Sequence, residues 1–226
     1  MNRIVLTAFA ASLLAVPASA QSTDKADHFC RDGYFPRESK AYRLATIKGA
    51  AGARAYFHDD DPDKCPADPS CRLKTYVVAN DQVIVSRTLG KFACSWFQPR
   101  RGSGTTGWIE TDRLAWTGSL EAPKTRDWIG EWRTDGGIFI RIRTAKKAGE
   151  LDITGEATAG PAAAPNMGEL DHTAKPSGDT MKFADEADRG SCAVEMQLVG
   201  RFLIVDDNLN CGGHNVSFSG VYRKKR

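Results

Sequence analysis

The sequence predicts an all-β protein made of two antiparallel β-barrels joined by a short linker. The first half contains short runs rich in β-branched and aromatic residues, separated by turn-forming pairs such as Asn80-Asp81. The second half alternates apolar and polar residues with a period of two. The first half has no convincing helical period, and we expect an all-β fold.

Five strands are predicted in the first half. They cover residues 53–57, 74–78, 82–86, 93–97 and 106–110. Strands this short and this closely spaced are typical of a small β-barrel. We therefore assign residues 21–116 to a first domain, which begins with an N-terminal extension.

Five segments of this half carry a family resemblance through the order in which they occur. They are Tyr76–Val78, Asp81–Val85, Trp96, Thr106–Ile109 and Leu114. Over about residues 48–114 this order resembles the bacterial SH3-like domains of exported and cell-wall proteins. The resemblance implies a small barrel that engages a cell-wall peptide or a protein partner. Residues 59–71 replace the compact loop of that family with an acidic, cysteine-containing segment, so the resemblance defines no binding surface there.

A linker and a second domain follow. Residues 117–127 carry Gly, Ser and Pro and have no apolar period, which predicts a linker. In the second domain, residues 128–226, the predicted strands cover residues 128–133, 137–143, 151–155, 180–183, 192–199, 201–205 and 215–222. Gly200 and Arg201 suit a two-residue hairpin turn. Successive antiparallel strands of this kind predict an up-and-down barrel.

Between two of these strands, residues 157–179 are predicted to form a long irregular loop. They contain Gly160–Pro165 and Lys175–Gly178, which are rich in Ala, Pro and Gly. Such composition is typical of turns and flexible insertions rather than of strands.

The two ends of the second domain suggest how its barrel closes. Gly130-Glu131-Trp132 resembles the motif that opens lipocalin-type barrels, and Arg223 stands where those barrels place a basic residue in the last strand. The first and last strands of an up-and-down barrel are neighbours, since closure removes unpaired edges. The resemblance therefore implies a cation–π contact of Arg223 over Trp132. Residues 224–226 are predicted to be a dispensable solvated tail.

Residues 1–20 match a secretory signal peptide. Arg3 precedes the apolar run Ile4–Val16, and Ala18-Ser19-Ala20 fits cleavage before Gln21. The apolar run is shorter than the roughly 20 residues that a membrane-spanning helix needs, and no later stretch approaches that length. We therefore expect a periplasmic or secreted protein without a membrane span and, since Cys30 lies well beyond the cut, without a lipid anchor.

Six cysteines remain after this cleavage, and an even number in an oxidising compartment predicts three disulfides. They fall into two groups, Cys30, Cys65, Cys71 and Cys94 in the first half and Cys192 and Cys211 near the end. A Cys192–Cys211 bridge would staple the hairpin centred on Gly200. A Cys65–Cys71 bridge would clip the acidic segment, but the spacing leaves the pairing within the first group open.

Catalytic, metal-binding and nucleic-acid-binding chemistry finds little support. The chain has no GxSxG elbow and no zinc-type Cys/His spacing, and its histidines lie in polar, loop-like contexts. Asp59, Asp61 and Asp63 begin a calcium-loop spacing, but Lys64 and Ser70 occupy the positions that need Gly and Glu. The net charge of +3 gives no case for nucleic acid binding. We predict no enzyme activity, no metal and no cofactor.

Recognition through a surface is the remaining interpretation. Tyr76, Trp96 and Trp108 are the candidate binding surface, because aromatic rings with polar groups can stack on sugars or peptides. The leading hypothesis is a non-enzymatic envelope protein that binds peptidoglycan or an envelope protein. One alternative is a periplasmic inhibitor or immunity protein, because Ser219-Gly220-Val221-Tyr222 resembles a stretch of periplasmic lysozyme inhibitors. Another is a carrier whose barrel encloses a small apolar ligand.

Overall fold

The structure is a computed structural model that describes residues 28–37, 41–61, 63–118, 120–185 and 190–225. The predicted signal peptide and its cut before Gln21 lie outside these residues. The regular secondary structure of the described residues is almost entirely antiparallel β-strand, arranged in two sheets of which one is a nearly closed barrel, and this confirms the predicted all-β class.

The first sheet contains seven strands in the order β3-β2-β6-β5-β4-β1-β7. Their bounds are β1 Arg43–Ile47, β2 Arg54–His58, β3 Arg72–Val78, β4 Gln82–Leu89, β5 Phe92–Phe97, β6 Thr105–Glu110 and β7 Leu114–Trp116, with short 3₁₀ turns at Pro69–Cys71 and Thr111–Arg113. The five predicted strands correspond to β2 to β6. β1 was not predicted. Its adjacent residues Leu44 and Ala45 are both buried, on opposite faces, so that apolar alternation is lost.

Those two faces of β1 belong to two different hydrophobic cores. Ala45 and Ile47 pack inside the first sheet with residues such as Phe57 and Ile109. Leu44 belongs to a second cluster, which joins the first sheet to the outer side of the second. Its members are Cys30, Phe35, Leu44, Ile84, Phe92, Cys94, Trp96, Trp108, Val199, Phe202 and Ile204. The two halves therefore share buried apolar surface.

Residues 28–37, the described part of the N-terminal extension, are tied to the first sheet. A disulfide joins Cys30 to Cys94 on β5. The Arg87 guanidinium on β4 donates to the carbonyls of Phe29, Tyr34 and Arg37. Three converging carbonyls hold a guanidinium in one place because its donors form a rigid, planar fork. The extension is thus an integral part of the first half.

The second sheet contains eight strands in the order β11-β10-β9-β8-β15-β14-β13-β12. Their bounds are β8 Gly130–Arg133, β9 Phe139–Thr144, β10 Leu151–Ala159, β11 Asn166–Ala174, β12 Thr180–Ala184, β13 Ala193–Val199, β14 Phe202–Asp207 and β15 Gly220–Lys224. A helical turn, α1 Thr125–Trp128, precedes β8. Consecutive strands pair from β8 to β11 and from β12 to β15, and the first strand, β8, also pairs with the last, β15, as the up-and-down topology requires. The ladder stays open only between β11 and β12.

The predicted loop 157–179 is wrong, because most of it forms the hairpin of β10 and β11. The two strands pair without interruption from Leu151 opposite Ala174 to Ala159 opposite Asn166. The paired residues Ala157 and Gly168 are small and buried, and a neighbouring loop packs against Gly168. A strand whose inward side chains are this small lacks the apolar alternation by which strands are recognised.

The predicted strand 215–222 is wrong in part, because only Gly220–Tyr222 belong to a strand. The residues before them belong to the neighbouring loop, residues 208–219. Val216 and Phe218 are buried in the barrel core. The Asp207 carboxylate accepts hydrogen bonds from the Ser217 hydroxyl at 2.7 Å and from the Phe218 amide at 2.8 Å. The loop therefore folds inward over one end of the barrel, and its apolar residues plug that end.

The predicted Arg223–Trp132 contact is also wrong, although their strands are neighbours. Trp132 lies opposite Lys224, whose ammonium stands 4.9 Å from the centre of the indole ring. Arg223 lies opposite Arg133 and forms an ion pair with Asp135. Because side chains alternate along a strand, adjacent residues cannot both reach the same ring.

The predicted tail contributes to barrel closure. The Lys224 ammonium donates to the Asp127 carbonyl at 2.8 Å, and the Lys225 amide donates to the Glu131 carbonyl at 2.7 Å. Lys224 and Lys225 are therefore part of the barrel rather than a solvated tail, whereas Arg226 lies outside the described residues.

Glu131 on β8 forms ion pairs with three cationic side chains where the barrel closes. Its carboxylate lies 2.7 Å from Arg133, 3.0 Å from Arg141 and 3.2 Å from Lys225. Hydrogen bonds from Arg141, then Arg133, then Lys225 lower the pKa of Glu131 from its ordinary 4.5 to about 2. The carboxylate is thus bound in its charged form.

Glu131→Gln is expected to make the thermal stability depend less on pH under acidic conditions. Since folding lowers the pKa of Glu131, its contribution to stability is fully present above about pH 5 and is lost as the pH falls through about 2. The Tm of the wild type should therefore fall more between pH 6 and pH 2.5 than that of the variant. Glu195→Gln, which breaks the exposed pair with Lys182, is the control. Equal slopes for the wild type and Glu131→Gln would contradict the assignment.

All six cysteines are paired, and the pairs are Cys30–Cys94, Cys65–Cys71 and Cys192–Cys211. This confirms the three predicted disulfides and resolves the pairing that the sequence left open. The Cys192–Cys211 bridge lies at the open end of the β13–β14 hairpin, in which Val199 stands opposite Phe202 across the Gly200-Arg201 turn.

Candidate functional site

The three predicted surface aromatics have different environments. Trp108 is completely buried, and its indole N–H donates to the His28 carbonyl at 3.1 Å. Trp96 is 8% exposed and meets Phe202 of the second sheet edge to face at 5.0 Å. Both belong to the shared core and are unavailable to a ligand, which corrects their assignment. Tyr76 is 39% exposed and stays a candidate.

Tyr76 does not stand alone on the surface. Tyr56 on β2 lies directly opposite it on β3, and their ring centres are 5.6 Å apart. The alternation of β2 explains this position, because Ala55 and Phe57 point into the core and leave Tyr56 on the outer face.

An arginine stacks on each of these two tyrosines. The Arg54 guanidinium carbon on β2 lies 4.3 Å from the ring centre of Tyr76, and that of Arg72 on β3 lies 3.7 Å from the ring centre of Tyr56. Each arginine thus reaches across to the ring on the other strand. We name Arg54, Tyr56, Arg72 and Tyr76 the arginine–tyrosine face.

The electrostatic character of this face is cationic. Among the described residues neither Arg54 nor Arg72 forms an ion pair with a carboxylate. Hydrogen bonding from Arg54, and next from Arg72, lowers the pKa of the Tyr56 phenol below its ordinary value. The same hydrogen bond to Tyr56 raises the pKa of Arg54. The two guanidiniums therefore stabilise negative charge at the Tyr56 hydroxyl.

The ends of the β2–β3 hairpin are fixed by local contacts. The Asp81 carboxylate accepts the Val78 amide at 2.9 Å at the end of β3. At its start, the Cys65–Cys71 disulfide closes the connecting loop, and the His58 imidazole lies 3.2 Å from the Pro66 carbonyl. Burial lowers the pKa of His58, which favours its neutral form. The four side chains of the face therefore stand on a rigid support.

The acidic segment considered for calcium has a structural use. Asp59 forms an ion pair with Arg31, and the Asp60 carboxylate accepts the amides of Cys30 and Arg31, each at 2.8 Å. Burial works to raise the pKa of Asp59, but the Asp60 amide and the Arg31 side chain outweigh it and hold the pKa below its ordinary value. This segment anchors the N-terminal extension.

The stretch that suggested an inhibitor is likewise used internally. The Tyr222 hydroxyl is buried and donates to the Phe218 carbonyl at 2.5 Å. The Ser219 hydroxyl lies 2.8 Å from the Asp207 carboxylate and 3.2 Å from that of Asp206. Both side chains are therefore occupied in holding the 208–219 loop.

A cleft of about 920 Å³ lies between the two halves, beside residues 117–127. Its charged lining residues are Arg43, Lys124, Arg126, Glu121, Asp127 and Asp179. Cations and carboxylates are balanced there, so the cleft does not select a ligand of one charge, unlike the arginine–tyrosine face.

No family model, curated protein or solved structure matches the chain. In the part of the chain that the structure describes, no helix is long and apolar enough to cross a membrane. The candidate site therefore rests on its own geometry.

Proposed function

We propose that this protein is an exported, non-enzymatic binding protein of the cell envelope that binds the peptide part of peptidoglycan through the arginine–tyrosine face. One observation carries the proposal. Two guanidiniums, each stacked on a solvent-accessible tyrosine, stand on a rigid hairpin, and neither has a carboxylate partner among the described residues. Such a surface offers charge to a carboxylate and flat apolar area to the adjoining chain.

The compartment supports the proposal. Three disulfides are typical of proteins that fold outside the reducing cytosol. Residues 1–20 match a secretory signal peptide, which would direct the chain to the periplasm or the exterior. Peptidoglycan is a polymer of that compartment, and its stem peptides carry carboxylates. The resemblance of residues 48–114 to bacterial SH3-like domains points to the same ligand class.

The two other functions have less support. A carrier would need an open interior, but the core of the second barrel is filled by large side chains, including Trp128, Trp132, Phe218 and Tyr222. An inhibitor that uses Ser219 and Tyr222 would have to release side chains that hold the barrel end together.

Purified peptidoglycan sacculi test the proposal by co-sedimentation. The wild-type protein should sediment with the sacculi, and Arg72→Gln should weaken this binding about tenfold, because a charge-assisted hydrogen bond is worth roughly 1.5 to 3 kcal/mol. Arg100→Gln, which removes an exposed arginine outside the face, is the matched control and should bind normally. The proposal fails if the wild type stays in the supernatant or if both variants lose the same affinity.

A further inference from the structure

We infer that Arg54 and Arg72 act as a clamp for one carboxylate, which belongs to a non-amidated stem peptide and is held between the two guanidiniums at the Tyr56 hydroxyl. This inference rests on the proposed function and adds the chemical group that the face selects. It also distinguishes one shared anion from two anions held separately.

The crossed arrangement of the side chains gives the first argument. Arg54 reaches from β2 to the Tyr76 ring, and Arg72 reaches from β3 to the Tyr56 ring. The two ring centres are 5.6 Å apart, so both guanidiniums lie against the same tyrosine pair. Stacking occupies a flat side of each guanidinium, while its N–H donors lie in its plane and point elsewhere. Both arginines can therefore donate to one group between them.

The Tyr56 hydroxyl marks the point where the two guanidiniums act together. Hydrogen bonds from both arginines lower the pKa of this phenol, so each guanidinium stabilises negative charge at the same oxygen. A carboxylate placed at this oxygen would meet the same two cations. Its two oxygens match planar N–H forks, which favours a carboxylate on geometric grounds.

The rest of the ligand would lie along the exposed ring of Tyr76. Lys74, which is exposed on β3 between Arg72 and Tyr76, adds positive charge to the same surface. In the described part of the chain no carboxylate pairs with either arginine, so no internal anion has to be displaced. The face thus suits an anionic group at one point and a less polar chain leading away from it.

Chemical amidation of the sacculi tests whether the group that the face recognises is a carboxylate. Carbodiimide coupling with ammonia converts the stem-peptide carboxylates to amides without changing the glycan strands. The wild type should bind amidated sacculi at least tenfold more weakly than untreated sacculi. Arg54→Gln and Arg72→Gln should discriminate less between the two preparations than the wild type does, because each variant has lost one of the two guanidiniums that recognise the carboxylate. Equal binding of the wild type to both preparations would overturn the carboxylate assignment while leaving peptidoglycan binding intact.

A double-mutant cycle on untreated sacculi tests the clamp. If both arginines hold one carboxylate, each single Gln variant should lose about tenfold, and the double variant should lose clearly less than the product of the two losses. A double loss of about a hundredfold would mean two independent anions and would overturn the clamp. Arg100→Gln, which removes an exposed arginine outside the face, is the control for general charge and should lose no more than about twofold.

Soluble competitors separate the possible sources of the anion. At constant ionic strength, N-acetylglycine should release the wild type from sacculi, whereas N-acetylglycinamide should not. Inorganic phosphate should compete less well than N-acetylglycine, and stronger competition by phosphate would overturn the carboxylate assignment in favour of a phosphate-bearing polymer. Each variant should keep the wild-type Tm within a few degrees, which shows that a loss of binding is not a loss of folding.

Discussion

Trp96→Ala is expected to lower the free energy of unfolding by about 3 to 5 kcal/mol, the range for a large aromatic truncated in a core. Trp96 is almost completely buried and packs edge to face on Phe202 at 5.0 Å, so the truncation opens a cavity between the two sheets. Since this core is shared, urea unfolding should shift to lower denaturant in probes of both halves.

Trp116→Ala provides the comparison for this prediction. Trp116 is 36% exposed and stacks under Arg43 at 4.3 Å, so its truncation should cost about 1 kcal/mol or less. Fluorescence and far-ultraviolet circular dichroism can follow the transitions. If Trp96→Ala left the unfolding of the second barrel unchanged, the two halves would not be coupled through this core.

Gly168→Ala is expected to cost about 3 kcal/mol, at the upper end for overpacking, and to loosen one end of the second barrel. A β-carbon at Gly168 would meet the Cys211 carbonyl oxygen and would lie 2.7 Å from a methyl group of Val216. Neither neighbour can move easily, because Cys211 is bonded to Cys192 and Val216 is buried. Thermal unfolding measures the loss.

Hydrogen exchange can locate the effect of this substitution. In Gly168→Ala, the amides of Val216 and Phe218 should exchange faster, because the 208–219 loop must move outward. Gly136→Ala is the control, since its β-carbon would lie 3.7 Å from the Thr134 hydroxyl oxygen, an ordinary contact. A full wild-type Tm for Gly168→Ala would contradict the close packing of this loop.

Strands with one buried face could be predicted from the sequence. In β9, Ile140 and Ile142 are buried while Arg141 and Arg143 point outward, and this alternation was visible. β1 could not be predicted in the same way, since Leu44 and Ala45 face two different cores. β11 was not predicted, because the inward residue Gly168 breaks the apolar alternation. A small residue is needed there because a loop that is distant in sequence packs against it.

The candidate site could be predicted only in part. Tyr76 was recognised as an aromatic surface residue, but Trp96 and Trp108 were included because the sequence does not reveal the packing of one half on the other. Arg54, Tyr56 and Arg72 were missed. The period of two along β2 and β3 contains the signal, since it puts Arg54 and Tyr56 on one face and Arg72 and Tyr76 on one face. What the sequence lacks is the register that brings Tyr56 opposite Tyr76.

The central claim is that the arginine–tyrosine face binds the peptide part of peptidoglycan. Nuclear magnetic resonance titration of isotopically labelled protein with a soluble muropeptide tests this claim most directly, because it locates the contact residue by residue. We expect the largest chemical-shift changes on residues 54–58 and 72–78, and we expect Arg72→Gln to need about tenfold more muropeptide to produce them. Changes confined to the second barrel or to the cleft beside residues 117–127, or no changes at saturating muropeptide, would contradict it.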